Sequence, residues 1–144
     1  MDGKVLEDIV KSPEQIIGTE KGDVLRVMKS EDIGFNGFGE AYFSFILPGA
    51  VKAWKRHTQM TMNIVVPIGM VRFVFVSSSD GLKFREENIG VDNYCRLTVP
   101  PGIWFGFQGM SKHPSLVLNV ANLPHNPKEA ESKLHDSMPF DWSM

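Results

Sequence analysis

The sequence predicts an all-β protein built as an antiparallel sandwich or barrel. Two observations carry that expectation. From Glu40 onward the chain alternates between short apolar, β-branched or aromatic runs and Gly/Pro turn signals. Nowhere does it hold the 3.6-residue apolar repeat of a long amphipathic helix. At 144 residues it is long enough to bury its own core as one domain spanning 1–144.

Taken in order, residues 1–23 mix charges with short apolar pairs, Ile9-Val10 and Ile16-Ile17, and read as an N-terminal arm with one short strand. Gly22-Asp23 signals a turn into a strand over Val24 to Met28. Lys29 to Gly39 reads as a loop, because Gly34, Gly37 and Gly39 oppose a regular helix. Strands are then expected over Ala41 to Leu47, ended by Pro48-Gly49, and over Met62 to Val66, ended by Pro67 and Gly69. Met70 to Val76 is apolar on both faces except for Arg72. Ser77 to Gly81 is a loop, with Asp80-Gly81 as its turn signal. In Tyr94 to Val99, Tyr94, Arg96 and Thr98 alternate with Cys95, Leu97 and Val99, the half-buried pattern. Pro100-Pro101-Gly102 turns the chain into Ile103 to Phe107. Ser115 to Ala121 is a further strand, interrupted inside by Asn119. The tail differs: Asn126 as cap, Pro127 in the first turn and acids after it predict a short helix. Phe140 and Trp142 supply aromatic anchors.

Composition excludes several classes. A formal net charge of −2, with scattered basic residues, gives no electrostatic case for a nucleic-acid partner. Cys95 stands alone, so no intrachain disulfide forms and no cysteine cluster holds zinc; a buried thiol is expected. The N-terminus lacks the apolar core of a signal peptide and no run approaches a membrane span, so a cytoplasmic protein without a membrane partner is expected. His113 and His135 sit among polar turn residues, and Ser77 to Ser79 lack the strand-elbow-helix setting of a serine nucleophile.

The stretch from Pro48 to Gly69 concentrates the chemistry. On an extended strand Val51, Ala53, Lys55 and His57 share one face, while Lys52, Trp54 and Arg56 share the other. Lys55 and His57 then point the same way, about 7 Å apart along the strand, which is how a β-barrel delivers two polar groups to one cavity.

The chain resembles a small cupin jelly roll, and more narrowly the dTDP-4-dehydrorhamnose 3,5-epimerase family of sugar-nucleotide epimerases and isomerases. The residues that carry this are Gly-Glu-Ala-Tyr-Phe-Ser (39–44), Pro-Gly-Ala-Val-Lys-Ala-Trp-Lys-Arg-His (48–57), Asn-Ile-Val-Val-Pro-Ile-Gly (63–69), Arg-Leu-Thr-Val-Pro-Pro-Gly-Ile-Trp-Phe-Gly-Phe-Gln-Gly (96–109) and Asn-Val-Ala-Asn-Leu-Pro-His-Asn-Pro-Lys-Glu (119–129). The resemblance spans roughly residues 22 to 142. Against the metal-cupin pattern, the ligand positions hold Lys55, His57, Thr61 or Met62, and Phe105, so His57 alone is retained and no metal is expected. The resemblance implies a cofactor-free reaction in which a histidine removes a proton beside a ketone, a lysine assists and a tyrosine reprotonates. Here the histidine position holds Lys55, the lysine position Met62 or Asn63, the tyrosine position Pro124 or His125, and an arginine position Lys52.

Candidate catalytic residues are accordingly His57, Lys55 and His125. A neutral lysine serves as a base and a charged one stabilises an enolate; His57 is the alternative base and His125 the acid. Candidate substrate-binding residues are Lys52, Arg72, Asn63, Trp104, Phe107 and Asn119. Arg72 suits a phosphate or ketone oxygen, and Trp104 and Phe107 suit stacking on a base or sugar. For Tyr42, Tyr94 and, beside its candidate binding role, Asn119 a structural role is favoured. The expected function is epimerisation or isomerisation of a nucleotide-linked 4-keto-6-deoxy sugar for surface polysaccharide synthesis. The rival is a cupin that binds a sugar or sugar nucleotide without turnover. A homodimer is expected, with the 1–23 arm available for exchange between subunits.

Overall fold

The computed structural model describes residues 5–77 and 82–143, and the turn expected at Asp80-Gly81 lies outside them. The strands in chain order are β1 (Val10–Pro13), β2 (Ile16–Ile17), β3 (Val24–Leu25), β4 (Glu40–Ile46), β5 (Val51–His57) and β6 (Met62–Ile68). They continue with β7 (Met70–Ser77), β8 (Lys83–Gly90), β9 (Cys95–Val99), β10 (Trp104–Gly109), β11 (Ser115–Ala121) and β12 (Ala130–Ser132). Two five-stranded antiparallel sheets, ordered β1-β9-β6-β11-β4 and β12-β5-β10-β7-β8, face each other as a cupin-like jelly-roll sandwich. The hairpin β2-β3 stands apart from both.

Between the sheets lies the main core, where Val71, Phe73 and Phe75 meet Ile64, Val66, Leu97 and Val99. These residues alternate along their strands, as the two-residue period requires. A second core forms on the outer face of the β5-β10-β7 sheet, where Trp54, Val74, Val76 and Trp104 are covered by Met138 and Trp142 from the C-terminal segment. Double coverage explains why Met70 to Val76 reads as apolar on both faces. Gly106 on β10 is required here, because a Cβ at that position would lie 2.6 Å from the Cβ of Ala53.

Several expectations change. The arm holds two short strands, β1 and β2, where one was expected, and the strand expected over Val24 to Met28 is only Val24–Leu25. The sequence reading left residues 83–90 without an element, yet β8 pairs with β7 along its whole length; its Lys83, Arg85, Glu86 and Glu87 mark a charged edge strand rather than a loop. The short C-terminal helix is a single 3-10 turn, Pro127–Glu129. Asn126 does cap it, accepting from the Lys128 amide at 3.1 Å, but the next three residues extend as β12 against β5. Pairing with an open sheet edge outcompetes a helix of one turn, whose nucleation is costly. Finally, Arg96 and Thr98 are buried rather than solvent-facing. Arg96 bonds Glu14 and Asp32 and the carbonyls of Val27 and Ile33, so the 14–33 segment roofs the β9 end of its sheet. In the arm, β1 closes onto β9 of the same chain and Ile9 enters the core.

Candidate active site

A cavity of about 460 Å³ opens between the two sheets. One wall is β5 and β10, contributing Lys52, Lys55, His57, Phe105 and Phe107; the opposite wall is β4 and β11, contributing Tyr42, Ser44, Val117 and Asn119. Strand alternation brings Lys55 and His57 to the same face. Lys52 joins them because of a β-bulge. Phe105 pairs with Lys55 and Phe107 with Lys52, but the intervening Gly106 pairs with Ala53, so Trp54 is an extra residue in its strand. One extra residue inverts the parity of everything before it. Ala53 and Val51, expected on the face of Lys55, therefore turn to the outer core beside Trp54, whose Nε1 donates to the His135 carbonyl at 3.1 Å.

His57 is buried and forms the chemical centre. Its Nδ1 lies 2.7 Å from Glu129 Oε1, and its ring stacks on Phe105 at a centroid distance of 6.0 Å. The other Glu129 oxygen, Oε2, accepts from the backbone amides of Gln59 at 2.9 Å and Met60 at 2.8 Å. Burial pushes the Glu129 carboxyl up, but the Gln59 and Met60 amides and His57 outweigh it and hold the group below the ordinary glutamate range. An ionised carboxylate on Nδ1 keeps the proton on that nitrogen, which leaves the Nε2 lone pair as the basic site. The sequence reading missed Glu129. An acid in the first turn after an Asn cap already has a helix-end explanation, and nothing local links it to a histidine 72 residues away.

Cations ring the mouth. Lys52 Nζ donates to the Phe45 carbonyl at 2.7 Å, bridging the two walls, while Lys133 borders the rim with its ammonium turned over the outward Trp104 ring, 4.7 Å from the centroid. Among the described residues no carboxylate lies within ion-pair distance of Lys55. Deeper in, Phe107 stacks on Phe73 with centroids 5.2 Å apart. On the opposite wall the Asn119 amide donates to the Tyr42 hydroxyl at 3.0 Å. Tyr42, read from sequence as structural, therefore presents its phenol to the cavity.

Four expected site residues lie elsewhere. Arg72 is on the outer face of β7, bonding Gln108 at 2.6 Å and the Trp142 carbonyl at 2.7 Å, with Glu86 at 3.5 Å. Trp104 alternates out of the cavity for the same reason and is held between Arg56 and Lys133. Asn63 points away from the cavity: its side chain bonds Gly34, Arg96 and Thr98. His125 is exposed, with its backbone amide donating to Glu40, and lines no part of the cavity. Period-2 reasoning gives relative facing along a strand, but on strands covered from both sides no polar side marks the outside.

Comparison with known proteins gives a consistent picture. No family model matches the chain. It is 25% identical to a probable low-salt glycan biosynthesis epimerase of Haloferax volcanii, over 94% of this chain and 89% of that one. It is 20% identical to a spore coat polysaccharide biosynthesis protein of Bacillus subtilis, over 99% and 97% of the two chains. The crystal structure of a dTDP sugar isomerase from Desulfovibrio desulfuricans superposes with a TM-score of 0.89 at 35% identity, covering 95% of this chain and 92% of that one. At that identity and coverage, the protein belongs to the family of dTDP-sugar isomerases and epimerases built on the cupin jelly roll.

Proposed function

We propose that the protein epimerises or isomerises a nucleotide-linked 4-keto-6-deoxy sugar in surface polysaccharide biosynthesis, without a metal ion. The observation that carries this is the buried His57–Glu129 pair opening on a cavity lined by Lys52 and Lys55. His57 Nε2 removes the proton from the carbon beside the ketone, the C–H electron pair moves into the enolate, and an ammonium group stabilises the oxygen. Tyr42, on the facing sheet, returns a proton to carbon; the phenolate then takes a proton from solvent and the His57 imidazolium releases one to it. The lysines suit the diphosphate, and the Phe73–Phe107 stack suits an apolar or aromatic part of the ligand. The donor set disfavours a divalent ion, since His57 is the one imidazole lining the cavity, its carboxylate partner already takes two amides, and Lys52 and Lys55 add positive charge to the same cavity.

We further propose that the 144 residues act as one domain, in the cytoplasm, as a homodimer. No described helix is long and apolar enough to cross a membrane. Support for self-association is the bare outer face of β4, with Phe43 and Phe45 exposed, together with the exposed β2-β3 hairpin of the arm. The test of the chemistry is deuterium wash-in from solvent, followed by NMR, with dTDP-4-keto-6-deoxyglucose as probe. Exchange beside the ketone, abolished by His57→Ala, is expected. Tight binding of the probe with no exchange in the wild type would refute the reading.

A further inference from the structure

Resting on that reading, we propose that Asn119 is a positioning residue that makes Tyr42 a one-way proton donor into the cavity. Asn119 is 4% exposed, on the inward face of β11, opposite Tyr42 on β4. Its Oδ1 accepts from the Asn63 backbone amide at 3.1 Å. A backbone N–H can only donate, so this contact fixes which end of the Asn119 amide is oxygen. The Nδ2 end is then committed to Tyr42, donating to its hydroxyl at 3.0 Å, with Met60 Sδ as a second, weaker neighbour at 3.8 Å. A hydroxyl that accepts from an amide keeps its own proton for another partner. Among the described residues no protein group accepts that proton, and the phenol borders the cavity.

The consequence is directional. His57 and Tyr42 stand on opposite sheets with the cavity between them. A proton returned by His57, after the imidazolium has exchanged with solvent, reaches the face the first proton left, which exchanges the carbon without changing its configuration. A proton delivered by Tyr42 reaches the other face and completes the turnover: the O–H bond breaks, the new C–H bond forms, and the phenolate later takes a proton from water. Asn119 thus governs the partition between exchange and product, not proton abstraction.

Asn119→Asp tests this with nearly unchanged shape. One carboxylate oxygen still accepts from Asn63, but the other faces Tyr42 and can only accept, so the phenol turns its proton away from the cavity. Product formation from dTDP-4-keto-6-deoxyglucose should fall about 100-fold, while solvent wash-in at the carbon beside the ketone falls no more than a few-fold. Tyr42→Phe should show the same split, and the double variant should be no worse than Tyr42→Phe. Because a buried carboxylate can harm folding, Asn119→Leu, which removes both bonds without adding charge, should show the split at about tenfold. Equal loss of wash-in and product in Asn119→Leu and Asn119→Asp, or loss that adds to Tyr42→Phe, would overturn the inference. Absence of wash-in in the wild type would instead overturn the proposed reaction, and the inference with it.

Discussion

The two sheets treat their outer faces differently. The β12-β5-β10-β7-β8 sheet is covered by its own C-terminal segment: Phe140 and Trp142 pack at a ring distance of 4.7 Å over Trp54 and Phe84, and Arg72 is tied to the Trp142 carbonyl. The same run, a few residues earlier, supplies Glu129 to His57 and Lys133 to the cavity. On the β1-β9-β6-β11-β4 sheet the 14–33 segment roofs only the β9 end, through Arg96. Away from that end the face is bare, with Phe43 62% and Phe45 64% exposed on β4, Leu47 61% just after it and Ile68 56% at the end of β6. That apolar surface comes to roughly 500 Å², at the upper end of what a lone soluble protein carries, and it matches the core of a standard-sized interface. Covering a face with the chain's own tail links folding to completion of the site; the β4 face has no such cover among the described residues.

The largest effect that could break this contrast is loss of the cover. Trp142→Ala should cost about 3 kcal/mol or more in denaturant unfolding, because it empties an aromatic site in a packed cluster. A cost under about 0.5 kcal/mol would mean that the segment is decoration.

Next in size, Glu129→Gln separates covering from catalysis. The Gln59 and Met60 amides demand an acceptor and so orient the new amide with its NH₂ toward His57. That makes Nδ1 accept, moves the ring proton to Nε2 and removes the base; kcat should drop about 1000-fold. The acid limb should change as well. Since Glu129 titrates below its unfolded value, it adds stability above the ordinary glutamate pKa, and that stability is lost as pH falls through the folded-state value. Glu129→Gln should therefore unfold less steeply with acid than wild type. An unchanged acid limb in urea melts would show that another carboxylate governs it.

Smaller in stability but decisive for the bare face, Phe43→Asp with Phe45→Asp should leave subunit unfolding within about 1 kcal/mol while light scattering reports dissociation to monomers. A wild type that is monomeric at micromolar concentration would remove the reason for the bare face. Least of all, His125→Ala should stay within about 0.5 kcal/mol and twofold in turnover, as befits an exposed side chain outside the cavity. A tenfold loss of kcat would place it in the machinery after all.

Much was legible along the chain. Alternation and β-branching marked β4, β6, β7 and β11 closely, Ser115–Ala121 to the residue. Lys55 and His57 were placed on one face because both lie beyond the bulge and the period of two holds between them. Phe107 and Asn119 likewise reached the cavity from strands whose pattern was clear. Residues 83–90 were not legible, because a charged edge strand has the composition of a loop.

By itself the sequence determined the fold class, most of the strands and the pairing of Lys55 with His57, since those depend on local period and on side-chain shape. Only the tertiary structure decided which face of each strand is inside. Arg72 and Trp104 turned outward because a covered outer face lets an inward and an outward residue look alike. It also decided that Lys52 turns in, through one extra residue at Trp54, and that Glu129 meets His57, through β12 pairing with β5. The physical reason is common to all four: a strand fixes the relative direction of its side chains, but sheet register and the packing of distant segments fix the absolute one.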